Sequence, residues 1–126
     1  MAEVIETNVA YISFIEGGII KVDGKTDAHI ELEDMDENYA VFKKLVKDKK
    51  APFLVSFGIN ASITTEAREN FANKQRSQIK KAEAFVVKQL HHRLIASFHI
   101  NHFKPAIPTK VFNSEEEAKL WLMQFV

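Results

Sequence analysis

The segment PFLVSFGI, residues 52–59, constrains the fold more than any other stretch of the chain. It is short and almost wholly apolar, and a proline restarts the chain at its head. A strand that alternates apolar and polar residues has one wet face, whereas a continuous apolar run reads as a strand buried on both faces. Such strands belong to parallel sheets covered by helices, so helical segments are expected on either side of this one in sequence.

They are found there. NVAYISFIE (8–16) and GIIKVDG (18–24) flank Gly17-Gly18, and a Gly-Gly pair between β-branched runs predicts a hairpin because both positions accept positive φ. A polar connection leads into a helix over about 35–48, with Tyr39, Phe42, Leu45 and Val46 on one face and a Lys-rich end suited to the helix dipole. After the central strand comes a helix over roughly 64–74, turning Ala67, Phe71 and Ala72 inward. The polar run 73–81 then crosses the surface to a strand at AEAFVVKQ (82–89). LHHRLIASFHINHF (90–103) has the clearest amphipathic pattern: Leu90, Leu94 and Phe98 at i, i+4 and i+8, with Ile95 beside them. Pro105 and Pro108 end that helix, IPTKVFN (107–113) supplies the last strand, and Ser114 with Glu117 predicts a capping box for a final helix. Ala118, Trp121, Leu122 and Phe125 face inward from it.

The fold class that follows is α/β: a mostly parallel sheet of four to five strands, an N-terminal antiparallel hairpin and about four helices. No linker, repeat or low-complexity tract divides residues 1–126, so one domain is expected.

Composition removes whole classes of function. The chain has no cysteine, which excludes disulfides, thiolate chemistry and Cys-based zinc or iron–sulfur sites. The four glycines form neither a phosphate loop nor a G-x-S-x-G elbow, and no cofactor is implied. Formal net charge is zero, which argues against a dedicated nucleic-acid binder, although residues 1–37 carry ten Asp/Glu against two Lys and the remainder is correspondingly basic. No apolar run approaches a membrane span, and the segment MAEVIETNVAYISF lacks the pattern of a signal peptide, so a cytoplasmic location is the simplest reading.

Three stretches together carry a family resemblance: the opening hairpin, PFLVSFGINASITTEAREN, and RLIASFHINHFKPAIPTKVFNSEEEAKLWL. The most specific block is P-x-K-x-F-x-[ST]-x-x-E-A-x-x-W-L from Pro108 to Leu122. The chain resembles the STAS superfamily of sulfate-transporter and anti-sigma-factor-antagonist domains, in its sporulation-antagonist-like branch, over residues 9–125. The resemblance implies helices winding along the sheet and a regulatory, protein-binding role without catalysis. It also implies a partner of the anti-sigma or kinase-like type. In that family a D-x-S-x-x-[GS] motif carries a phosphorylated serine after the third strand. The matching stretch here is Asn60-Ala61-Ser62-Ile63-Thr64-Thr65, with Asn in place of the acid and no Ser-Gly pairing, so the hydroxyl could be Ser62 or Thr64. The same fold group contains CRAL-TRIO lipid-transfer domains, which makes carriage of an apolar ligand the alternative. A structural homo-oligomer, such as a homodimer, is a third.

Read from the residues alone, Thr64 is a natural N-cap. Phosphate on the Asn60, Ser62, Thr64 and Thr65 surface would meet a helix dipole and add roughly −1.5 to −2 charges to a partner-facing surface. His91 and His92 diverge on a helix. His99 and His102 lie at i, i+3 but lack further ligands, so no metal site is expected and most of the histidines belong on the outer face. The acidic cluster Glu31, Glu33, Asp34, Asp36, Glu37 and the basic run Lys74, Arg76, Lys80, Lys81 read as solvated surface, and Phe98, Phe103, Phe112 and Phe125 as core.

Overall fold

The computed structural model describes residues 3–71 and 73–126. Strands β1 (Val4–Glu6), β2 (Ala10–Ile15) and β3 (Ile19–Gly24) are followed by β4 (His29–Ile30), helix α1 (Leu32–Val46), β5 (Ala51–Ser56) and β6 (Ser62–Ile63). Helices α2 (Thr65–Asn70) and α3 (Lys74–Ser77), strand β7 (Lys80–Val86), α4 (Leu90–Phe98), β8 (Thr109–Phe112) and α5 (Glu115–Leu122) complete the chain, with α4 continuing into a π-helical turn at His99–Phe103. Six strands form one sheet in the order β1-β2-β3-β5-β7-β8, while β4 and β6 pair apart from it. The β1–β2 and β2–β3 pairs are antiparallel; β3–β5, β5–β7 and β7–β8 are parallel. The α/β architecture with an N-terminal hairpin stands as expected. Gly17 (φ 78°) and Gly18 (φ 72°) turn that hairpin in the region glycine enters without strain.

The sheet carries one more strand than the pattern predicts. Val4–Glu6 is too short to show a period, yet it pairs with β2 from Val4↔Ser13 to Glu6↔Tyr11. The helix expected over 64–74 is two pieces, α2 and α3, and Asn73 caps the second by accepting from Gln75 N–H at 2.8 Å. Ala72 lies outside the described residues.

Residues Ala51–Val55 are buried throughout, which is the two-faced strand that the run PFLVSF implies. One face of the sheet presents Ile12, Ile20, Val22, Phe53, Val55 and Phe85 to α1 and α4, and Phe42 meets Phe53 edge-on at 4.9 Å. The other face presents Ile19, Leu54, Ala82, Ala84 and Val86 to Ala118 and Leu122 of α5. The two alanines of β7 leave room for that helix. Burying each large side chain of this set contributes about 1.5–3 kcal/mol. Ser114 caps α5 as expected, accepting from Glu117 N–H at 3.2 Å.

Two solvated-surface expectations are corrected here. Asp34 is buried because it closes the start of α1: its carboxylate accepts from Glu31 N–H at 2.9 Å and from Asn8 Nδ2 at 2.7 Å. Lys80 is buried because β7 has a bulge. Ala51 pairs with Lys80 but Pro52 pairs with Ala82, so Lys81 is an extra residue and the alternation changes phase there. Lys80 and Glu83, three apart, thereby reach the same face.

Candidate functional site

The corner at the carboxyl end of β5 is built from two stacked loops, residues 24–30 and 57–64. Asp27 N–H donates to Ile59 C=O at 2.8 Å, Ser62 N–H to Ala28 C=O at 2.8 Å, and Thr64 N–H to Ile30 C=O at 3.0 Å. These bonds draw Ser62 into β6, paired in parallel with β4, rather than into a helix start. Its hydroxyl is exposed and hydrogen-bonded to His29 Nδ1 at 2.7 Å. Thr64 is the N-cap of α2, accepting from Ala67 N–H at 3.1 Å, and Thr65 is the exposed first residue of the helix. Asn60 turns the loop at φ 61°, with its N–H on Gln89 Oε1 at 2.8 Å. The four residues share one corner, and Asn60, Ser62 and Thr64 are each held by a different bond. Thr64→Ala is expected to cost about 1 kcal/mol, the usual loss at an N-cap, read as a lower urea midpoint with an unchanged m-value.

Helix α4 overturns its hydropathy pattern. Leu90, Leu94 and Phe98 are 72%, 60% and 50% exposed, so the stripe points outward and Phe98 is no core residue. The inward face is His92, Ala96 and His99, and the two histidines are 2% and 6% exposed rather than on the outer face. His92 Nε2–H donates to Ala61 C=O at 2.7 Å, and its ring stacks on Phe57 at 5.0 Å. His99 packs edge-on against Phe71 and Phe85 at 5.8 and 5.7 Å. A hydrogen bond and ring stacking seat His92, and edge-on aromatic contacts seat His99, whose Nδ1 has no hydrogen-bond partner among the described residues, where leucine would serve in another helix; Ala96 between them allows close approach to the sheet. Among the described residues no group of three or more His, Cys, Asp or Glu is placed to hold a metal.

Burial lowers the pKa of His99 below its ordinary 6.5; Glu83 opposes this and Lys80 adds to it. A depressed folded-state value means the unfolded chain binds the proton more readily. His99 therefore contributes stability that is complete above about pH 6.5 and is lost as pH falls through its folded pKa. The thermal midpoint should drop on acidification below pH 6.5, and His99→Phe should flatten that part of the profile.

Beneath the two loops, between α1 and the sheet, lies a cavity of about 60 Å³. Its wall is mostly hydrocarbon, including Val22, Phe42, Phe53 and Val55, with Asn38, Arg76, Lys80 and Glu83 on its polar side. Lys80 Nζ donates to Glu83 Oε2 at 2.7 Å, with both side chains almost fully buried. The loop corner and α4 were approached by the sequence pattern; the cavity was not, because its lining comes from many elements that only the fold brings together.

This arrangement of sheet, hairpin and helices defines a class. The crystal structure of an uncharacterised DUF3478-family protein with a SpoIIAA-like fold from Shewanella loihica PV-4 superposes with a TM-score of 0.59. The superposition covers 97% of this chain and 92% of that one at 10% identity. The fold is SpoIIAA-like, the STAS fold that the sequence resembles. Within that fold the chain belongs to the family described as Domain of unknown function (DUF7793), whose model matches residues 13–126. No curated protein matches the chain.

Proposed function

We propose that the chain is a single cytoplasmic STAS-like domain, non-enzymatic and regulatory, that binds a protein partner through α4 and the adjoining Asn60–Thr65 corner. One observation carries this reading: the outward stripe of Leu90, Leu94 and Phe98, three large apolar side chains left in water along one helix face. The corner joins it directly. Gln89 at the head of α4 holds Asn60, and His91 and His92 both reach the carbonyl of Ala61.

The charge of the segment that carries the stripe selects the partner. From Ala84 to Ser114 the sequence has no Asp or Glu, while Lys88, Arg93, Lys104 and Lys110 all fall within it. The complementary occupant is an amphipathic segment with an apolar face and acidic flanks. An anti-sigma or kinase-like protein presenting such a segment fits the family resemblance.

The test is capture from the native host with a photo-crosslinker at Leu94, followed by rebinding of the purified partner. Leu94→Glu is expected to weaken rebinding by about tenfold or more, since it removes a buried leucine from the contact and adds the wrong charge. Raising the salt should weaken it further. Ser62→Asp or Thr64→Asp should also reduce capture, by placing negative charge at the edge of a surface that selects acidic segments. Binding indifferent to Leu94→Glu and to salt overturns the assignment. Self-association lost with Leu94→Glu in light scattering would instead assign the stripe to a second copy.

A further inference from the structure

The cavity beneath the loops, with Ala61 of that corner in its lining, supports a conclusion of its own. Three buried side-chain atoms among the described residues have no hydrogen-bond partner within the chain, and two of them, Asn38 Oδ1 and Arg76 Nε, belong to residues lining this cavity. The other nitrogens of Arg76 are committed: Nη1 donates to Met35 C=O at 3.0 Å and Nη2 to Asp36 at 2.7 Å. Lys80 and Glu83, which also line the cavity, neutralise each other. The polar side of the cavity is therefore balanced in charge, with one donor and one acceptor unspent. An unpaired buried polar group is costly, and two of them on residues lining one apolar cavity mark a place for a polar group from outside the chain.

We infer that the cavity binds a small neutral amphiphile: a short aliphatic body whose head, an alcohol or primary amide, accepts from Arg76 Nε and donates to Asn38 Oδ1. Size sets the body. An engineered cavity of about 150 Å³ takes benzene, so one of about 60 Å³ takes fewer heavy atoms and excludes a long acyl chain. Charge sets the head. The guanidinium already has Asp36 and the ammonium already has Glu83. A carboxylate would enter low-dielectric surroundings without a free counter-ion, which burial penalises.

The test is an NMR titration of the full chain with four probes of similar size: n-butanol, propionamide, propionate and n-pentane. Saturable shifts at the Arg76 Nε–Hε and Asn38 side-chain resonances are expected with the first two. Binding of propionate and n-pentane should be weaker by about tenfold or more, as for sites whose polar groups are left unpaired by the wrong ligand. Asn38→Leu keeps the side-chain size and removes the acceptor. Arg76→Lys keeps a cation for Asp36 and removes Nε. Either substitution should bring butanol and pentane to within about threefold of each other. Equal binding of butanol and pentane by the unaltered chain overturns the head group, as does a preference that survives both variants. No saturable shift with any probe overturns the site and leaves a hydrated cavity.

Discussion

Glu83→Gln is expected to destabilise the fold by about 3–5 kcal/mol, the usual consequence of removing one partner from a buried ion pair. Lys80 and Glu83 are 8% and 4% exposed, and their contact is 2.7 Å. The Lys80 ammonium also lies 5.2 Å from the centre of the Phe53 ring, whose side chain is wholly buried. With glutamine at position 83 that cation keeps a neutral amide oxygen and the ring face but no counter-charge. The alternatives are to lose its proton or to pull water into the core, and both cost free energy. Urea denaturation of the two proteins measures the difference directly.

The double variant Lys80→Met, Glu83→Leu should behave otherwise. With both charges gone, no desolvation is left uncompensated, and stability is expected within about 1 kcal/mol of the parent or above it. A double variant as unstable as Glu83→Gln would mean that the pair contributes attraction beyond its own desolvation. The comparison is informative because the pair depends on a bulge. Were Lys81 in register, Lys80 and Glu83 would point to opposite faces of β7.

That bulge also marks where the sequence stopped being legible. The continuous apolar run of β5, the Gly-Gly turn and the capped start of α5 were readable because each depends on local chemistry: period, positive φ, and a hydroxyl three residues from an N–H. Lys80 was not, since a basic run KK on a polar stretch reads as surface until the register shift is known. Helix α4 failed for a different reason. It carries two stripes one face apart, Leu90-Leu94-Phe98 and His92-Ala96-His99, and periodicity locates stripes without saying which one meets the sheet. What decides is the sheet itself. Phe57 and Phe85 offer ring faces and edges to histidine rings, and the carbonyl of Ala61 accepts from His92, so the less hydrophobic stripe finds partners inside, with His99 Nδ1 left unpaired. At the Asn60–Thr65 corner only the helix cap was legible, on the same account. Thr64 caps its helix as its spacing implies, whereas Ser62 is claimed by a two-residue strand pairing with His29–Ile30 that no local pattern announces.

Gly58→Ala is expected to cost about 3 kcal/mol or more, at the upper end of what overpacking causes, because the atoms in the way are backbone. A Cβ at Gly58 would stand 1.9 Å from the carbonyl oxygen of Lys25, 2.4 Å from its carbon and 2.8 Å from the oxygen of Gly24. No rotamer can relieve that contact; loops 24–30 and 57–64 have to separate. Separation strains the bonds from Asp27 to Ile59 and from Ser62 to Ala28, and with them the β4–β6 pair, the Ser62–His29 contact and the roof of the cavity. The damage should be concentrated there: hydrogen exchange at Asp27, Ser62 and Thr64 should accelerate well beyond that in β5 and β7, whose packing the substitution does not touch. Gly18→Ala separates this steric effect from ordinary glycine strain. Its Cβ meets nothing within 4 Å, and only the positive φ of 72° opposes it, so a loss of about 1–2 kcal/mol without faster exchange in the corner is expected. If the two alanine variants lose the same stability and show the same exchange pattern, the stacked loops are not the rigid unit that positions Asn60–Thr65. The partner-facing corner would then have to be ordered by α4 alone, through Gln89 and His92.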